Sequence, residues 1–378
     1  MNDFPIFEPP TPTFDMAAFD ALLAWAVDHE VSDISLVPNE PVWARIHGVW
    51  GRVTRTVLSN HEIKHFVNAS SRQPSASARV ESGEDVDYAY EIRLGRANRH
   101  RFRVNATGCR DGHAVGVAVV MRSIPSIPKR LEDLGVEDEI RQAITPLYGL
   151  VLVTGPVGSG KSTLLAGALR YILENQPRNV LTYEEPIEFD LVGIPNRRGL
   201  VVQTEIPVGL REFSRAPRNS LRRAGDVILF GESRDPTTMR NMTIVAETGV
   251  AVYSTVHTNS VSETISRMVR EFPNDERSGM AATLISALRL IVHQRLLRSS
   301  DGKRVALREY LIFDDAVRRA LVEVPLEKMI SAVEALVQER GQPLMVAARR
   351  ELERGRLDEQ AYLQLAAIRE KEMQGLGA

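Results

Sequence analysis

Cysteine is nearly absent from this chain of 378 residues: Cys109 is the only one. No disulfide can close within one chain, and no multi-cysteine metal site can be built. A lone thiol fits a reducing compartment, so the expected location is cytoplasmic. An excess of one charge is missing too. The 47 basic side chains nearly balance 49 acidic ones, for a formal net charge of −2. That leaves no global pull toward nucleic acid or an anionic membrane. Long apolar runs are also lacking. Stretches such as AVGVAVVM (114–121) are strand-sized, well short of the roughly 18 residues needed to span a bilayer. The start, MNDFPIFEPPTPTF, has no basic region followed by an apolar segment and does not read as a signal peptide. These absences predict a soluble protein that meets a membrane only through partners.

What is present divides into two patterns. Residues 1–13 read as a proline-rich, disordered tail. Asp15 is a plausible N-cap for a helix with Phe19, Leu22, Leu23 and Ala26 on one face. Strand signals follow in DISLV and in VWARIHGVWGRVT, with a turn at His47-Gly48. HRFRVNATGC and AVGVAVVMRSI flank an Asp111-Gly112 hairpin signal. Residues 14–122 are expected to form one α+β domain. SIPSIPKR (123–130) is punctuated by proline and reads as a linker. From residue 131 short apolar strands alternate with amphipathic helices, which implies a parallel sheet. The strands are GLVLV (149–153), DVILF (226–230) and VAVYSTV (250–256). The last sixty residues read as helical and amphipathic.

In the strand-forming segment RHRFRVN (99–105), Arg99, Arg101 and Arg103 fall on one face and Phe102 and Val104 on the other, because strand side chains alternate. The plain reading of this row is pairing with the acidic stretch EDVDYAYE (84–91).

GPVGSGKST (155–163) follows a buried strand and opens a helix, the setting that makes a G-x-x-x-x-G-K-[ST] motif a phosphate loop. The backbone of Gly155, Pro156, Val157, Gly158, Ser159 and Gly160 is expected to cradle phosphates. Lys161 should reach the β- and γ-phosphates, Ser162 should ligate Mg²⁺, and Thr163 continues the binding segment. VILFGESRD (227–235) sets Glu232 just beyond a strand, where ligands of parallel sheets sit. There it can activate water, or it can pair with Arg234. TYEEPIEF (182–189) crowds Glu184, Glu185 and Glu188 into five residues, which favours a nearby cation or a solvated loop. STVHTNS (254–260) ends a third strand with His257, either a γ-phosphate sensor or a structural histidine.

In this order the motifs resemble the secretion-ATPase superfamily, which includes pilus motors and type IV secretion ATPases. TYEEPIEF is similar to the family's aspartate box, VILFGESRD to its Walker B segment and AETGVAVYSTVHTNS to its histidine box. ALRLIVHQRLL (287–297) resembles the helix after that box. DGKRVALREYLIFDDAVR (301–318) and the helical tail are most similar to the type IVB (Dot/Icm) and conjugative-plasmid branch. The resemblance implies an α/β architecture: an N-terminal PAS-like domain (14–122), a linker (123–130), a RecA-like P-loop NTPase domain (131–313) and a helical C-terminal extension (314–378). It implies ATP and Mg²⁺ as cofactors and a homohexameric ring that works with inner-membrane components of a secretion or conjugation apparatus, without direct nucleic-acid binding. It also implies catalytic roles for Glu232, Glu184, Glu188 and His257. Arg101 and Arg103 are expected near the phosphates, with Arg122 and Arg234 as further candidates. Pilus retraction, a nucleic-acid motor and a non-hydrolysing scaffold are the competing functions.

Three departures stand out. Val250 replaces the histidine the family commonly carries after Thr248-Gly249, and Glu185 stands where aspartate is frequent. The four-cysteine module of the pilus-extension branch is missing.

Overall fold

A computed structural model describes residues 4–46, 48–95, 99–124, 127–231 and 235–375. The chain separates into two compact units. One comprises Met1–Ser126 with Glu188–Asp190; the other comprises Ile127–Ile187 with Leu191–Ala378. The boundary falls within the proline-punctuated stretch.

The first unit runs α1 (Met16–Asp28), β1 (Val31–Leu36), β2 (Pro41–Ile46), β3 (Val49–Val57), α2 (Asn60–Ser70), α3 (Ala76–Glu81), β4 (Val86–Arg93), β5 (Arg99–Asp111) and β6 (Ala114–Ile124). Its six strands form one antiparallel sheet in the order β3-β2-β1-β6-β5-β4. Asp15 does cap α1, its carboxylate accepting from the Ala18 amide. Phe19, Leu22, Leu23 and Ala26 are buried together with Phe102 and Val104. The Asp111-Gly112 hairpin forms, with Asp111 opposite Ala114 and Gly112 at a positive φ of 60°. The N-terminal segment behaves differently from the disordered tail expected of its prolines. The Phe7 side chain is buried in this core, and its amide donates to the Val53 carbonyl at 2.7 Å. Apolar burial of one aromatic ring outweighs the extended preference of the flanking prolines.

The second unit contains α4 (Asp138–Ala143), β7 (Gly149–Thr154), α5 (Lys161–Asn175), β8 (Asn179–Glu184), β9 (Leu200–Glu205), a 3₁₀ turn (Phe213–Arg215), α6 (Ala216–Leu221), β10 (Val227–Phe230), α7 (Pro236–Glu247), β11 (Ala251–Val256), α8 (Val261–Arg270) and α9 (Arg277–Ala287). It ends with β12 (Leu288–Arg298), β13 (Arg304–Ile312), α10 (Asp315–Val322), α11 (Leu326–Arg340), α12 (Leu344–Glu353) and α13 (Glu359–Gly375). Its seven-stranded sheet has the order β13-β12-β7-β11-β10-β8-β9 and is parallel except at the β12–β13 pair. Two cores cover its faces. α5 packs on one side through Leu164, Leu165, Ala168, Leu169 and Ile172. α7 to α11 cover the other. A small third core joins α12 and α13 to β13 through Leu307, Leu344, Ala348 and Leu365.

The segment 287–297 corrects an expectation. It is strand β12, parallel to β7, and the helix ends at Ala287. Leu290, Ile291 and Val292 are buried from both faces. A strand between two others hides apolar side chains on both sides, whereas a helix of this sequence would bare one.

Candidate functional site

Four adjacent strands of the second unit, β7, β11, β10 and β8, bring their carboxyl ends to one edge. Thr154 pairs with Val256, and Phe230 pairs with both Ser254 and Tyr183. Gly155 after β7, His257 after β11 and Glu184, the last residue of β8, are residues the sequence singles out, and Gly231 follows β10. This is the crevice where open parallel sheets hold ligands.

The loop 155–160 is shaped by its glycines. Gly155 has φ +141°, and a Cβ there would stand 2.3 Å from the main-chain oxygen of Gln294. Gly160, at φ +84°, precedes α5 as a cap without any side-chain hydrogen bond to the helix amides. Those amides and the helix dipole therefore face whatever the loop encloses. Pro156 accepts the Ser159 amide at 3.3 Å, and Val157 is exposed. The Ser159 hydroxyl is buried and has no hydrogen-bond partner among the described residues. Lys161 is only 8 % exposed, and its ammonium donates to the carbonyls of Gly155 and Pro156 at 2.8 and 2.9 Å. An ammonium held in the mouth of the loop, an uncapped helix start and a backbone too tight for a Cβ fit a polyphosphate. Ser162 and Thr163 begin α5 and are partly exposed beside it.

His257 lies at this loop: its Nδ1 is 3.5 Å from the Lys161 ammonium. Glu184 is buried, its Oε1 accepting from the Thr182 hydroxyl at 2.6 Å and from the Gln203 amide at 3.3 Å. A Cβ on Gly231 would lie 3.5 Å from the Glu184 side chain, so β8 and β10 present these two positions side by side. Glu232 and Arg234 lie outside the described residues. Glu185 is exposed and Glu188 half-buried in the segment counted with the first unit. Among the described residues no group of three His, Cys, Asp or Glu is placed to hold a metal ion. Val250 packs against the core of the second unit.

In the first unit Arg99, Arg101 and Arg103 share one face of β5, opposite buried Phe102 and Val104. Arg103 stands across from Arg122 of β6. Arg99 pairs with Glu91 at 3.1 Å, and Asn105 donates to Asp87 at 3.1 Å, which is the pairing with 84–91 that the sequence allowed. Arg122 is committed to buried Asp33 at 2.8 Å.

Behind the phosphate loop lies a buried polar network that sequence reasoning missed. His293 is fully buried, its Nδ1 3.3 Å from the Thr154 hydroxyl. Burial, reinforced by Arg295, Arg369 and Lys161, pulls its pKa down to about 3, so the ring is neutral. The Gln294 amide donates to the Ser159 carbonyl at 2.6 Å and accepts from Arg308 at 2.8 Å. Arg308 also donates to the carbonyls of Leu134 and Gly135 and pairs with Glu137 at 3.1 Å. Burial draws the Arg308 guanidinium below its ordinary pKa, against the opposing pull of Glu137. Glu137 in turn meets Arg350 of α12 at 2.7 Å. The signal in the sequence is the run His293-Gln294-Arg295 between the apolar stretches 290–292 and 296–297 of β12.

The family model of type II/IV secretion system proteins matches residues 16–357. The type IV pilus retraction ATPase PilT of Pseudomonas aeruginosa is 34% identical over 83% of this chain and 88% of its own length. A twitching motility protein of Neisseria gonorrhoeae is 34% identical over 82% of this chain and 84% of its own. Among solved structures, the ATPase DotB of Legionella pneumophila superposes with a TM-score of 0.84 at 38% identity, covering 96% of this chain and 100% of that one. The pilus retraction motor PilT with bound ADP superposes at 0.78 and 30% identity, covering 91% and 96%. No helix among the described residues is long and apolar enough to cross a membrane. A RecA-like second unit with its phosphate loop and histidine segment in register, matched along nearly the whole chain, makes this protein an ATPase that belongs to the type II/IV secretion system protein family.

Proposed function

We propose that this ATPase is the homohexameric motor of a type IVB or conjugative secretion apparatus, recruited from the cytoplasm to inner-membrane components. The observation that carries this reading is the superposition on DotB, which covers 96% of this chain and 100% of that one. The identity to PilT and to the twitching motility protein favours pilus retraction as a second reading.

ATP with Mg²⁺ supplies the phosphoanhydride and the metal's charge when bound. The chain's own residues do the rest. The backbone of 155–160 and the start of α5 would hold the phosphates, Lys161 would exchange its carbonyl partners for phosphate oxygens, and the Ser162 hydroxyl would serve as a metal ligand. Glu232 takes a proton from the attacking water. Glu184, fixed by Thr182 and Gln203, keeps a buried carboxylate at the end of β8. His257, next to Lys161, reports the γ-phosphate. Arg101 and Arg103, fixed on a strand, meet the phosphates of a neighbouring subunit, where such arginines contribute on the order of 10³–10⁵ in rate.

Purified protein should release phosphate from ATP and form rings visible by negative stain, with turnover lost in Lys161→Ala. Mixed hexamers of Lys161→Ala with Arg101→Ala/Arg103→Ala should regain part of the turnover if the arginines act across subunits. Deletion of the gene should abolish substrate transfer and spare twitching. Loss of twitching with intact transfer would instead select the retraction reading.

A further inference from the structure

The C-terminal helix α13 is poorly anchored by apolar contacts. Leu365 is its one fully buried residue among those described, and Leu363 and Ile368 are exposed. Arg369 and Glu372, one turn apart on the same side, are instead drawn into the second unit, with side chains 13 % and 19 % exposed. Arg369 donates to the main-chain oxygen of Asn259 at 3.1 Å and to Glu309 at 2.6 Å. The other oxygen of Glu309 accepts the Val261 amide at 2.7 Å. Glu372 pairs with Arg295, whose Nε lies 3.4 Å from the Nε2 of His293.

These contacts converge on the segment 257–260, which joins β11 to α8. Its Asn259 carbonyl is held by Arg369 of the tail, and the first amide of α8, that of Val261, by Glu309 of β13. At its other end His257 stands beside Lys161. A guanidinium is the group suited to this bridge, because its planar fork serves a carboxylate and a carbonyl at once, which an ammonium on a flexible stem cannot do with fixed geometry. Glu309 is 2 % exposed, so the pair is insulated from solvent and defines one geometry for the loop.

We propose that Arg369 of the C-terminal helix is a positioning residue for ATP hydrolysis, acting through Asn259 and Glu309 to hold the loop that sets His257 against the phosphate site. The proposal rests on the ATPase reading above. The tail helix is thus a removable brace on the histidine segment: undocking α13 releases the loop and leaves the phosphate loop with its own supports, Gln294 and Arg308.

The test compares Arg369→Lys, His257→Ala and the double variant in the full-length chain, with kcat, KM for ATP and melting temperature measured for each. Arg369→Lys keeps a positive charge on Glu309 and gives up the bridge to Asn259. It should lower kcat roughly tenfold, within the loss that small misplacement of a catalytic group produces. KM should stay within about twofold and melting within a few degrees. The double variant should be no slower than His257→Ala alone, because both remove the same contribution. If Arg369→Lys does not fold, Glu309→Gln carries the same test, since its amide oxygen still accepts the Val261 amide while the charge that seats Arg369 is gone. Wild-type turnover in either variant overturns the proposal, and so does a double variant whose losses multiply. Turnover in wild type that Lys161→Ala abolishes establishes the ATPase reading separately, so failure of the brace leaves that reading standing.

Discussion

Gly155 and Gly158 occupy the same loop, both at positive φ, yet adding one methyl group to each should have very different results. At Gly158, with φ +77°, a Cβ would find no heavy atom within 4 Å. The cost of Gly158→Ala is the left-handed backbone alone, about 1 kcal/mol. Expressed in binding, that is roughly a fivefold loss of ATP affinity. At Gly155, with φ +141°, the same carbon would lie 2.3 Å from the Gln294 carbonyl oxygen and 2.7 Å from the Ser159 hydroxyl. The Gln294 carbonyl belongs to β12, which is paired with β7 on one side and β13 on the other, so the strand cannot retreat. The loop itself must shift by about 1 Å, and displacements of that size at a reacting centre cost about 100-fold. Strain at this φ adds about 1–3 kcal/mol. Gly155→Ala should therefore lose at least about 100-fold in affinity for a fluorescent ATP analogue, or an equivalent about 2.7 kcal/mol divided between affinity and stability. The assay is a nucleotide titration run alongside thermal melting for both variants. Gly155→Ala binding within threefold of wild type at unchanged melting temperature, or Gly158→Ala proving the worse of the two, would refute the reasoning.

Three other outcomes are expected. Glu232→Gln should bind ATP normally and stop turnover, because an amide of the same shape cannot accept the proton; wild-type phosphate release would assign the base to Glu184, Glu185 or Glu188. His293, with a folded pKa of about 3 against an ordinary 6.5, stabilises the fold fully above pH 6.5 and progressively less as pH falls toward 3. Wild type should lose about 1.4 kcal/mol more than His293→Gln between pH values of about 7.5 and 5.5, read from urea midpoints, and equal losses would contradict a neutral buried ring. Phe7→Ala should destabilise the first unit by about 3 kcal/mol through loss of a buried ring, and an unchanged denaturation midpoint for that unit would show that the N-terminal segment does not pack.

The phosphate loop was legible because its chemistry is local: glycines, lysine and hydroxyl lie within nine residues, between a strand and a helix that announce themselves by pattern. The Asp15 cap, the Asp111-Gly112 hairpin and the two faces of β5 follow from equally short-range rules. β12 was not legible. LRLIVHQRLL mixes apolar residues with Arg289, His293, Gln294 and Arg295 without strict alternation, and such a run reads as helix or strand until its neighbours are known; pairing with β7, more than a hundred residues earlier, decides it. Phe7 was hidden by the prolines around it, whose local preference says nothing of where one ring is buried. The chain from Ser159 through Gln294, Arg308 and Glu137 to Arg350 joins five distant segments. No spacing rule links them, and only the polar interruption of an apolar strand marks its centre.

The strand order carries a consequence for synthesis. β7, which launches the phosphate loop, is flanked by β11 and β12 and by neither of its neighbours in sequence. While the ribosome works, Leu150, Val151, Leu152 and Val153 have no strand to pair with until residues 251–256 emerge, and their second partner is complete only at Arg298. That is roughly 140 residues after β7, on the order of ten seconds at ordinary rates of elongation. The six-stranded sheet of the first unit, contiguous in sequence, is finished before any of this begins. A nascent chain caught in that interval would carry a folded first unit and a bare, β-prone apolar segment, the species that a holding chaperone would be expected to find.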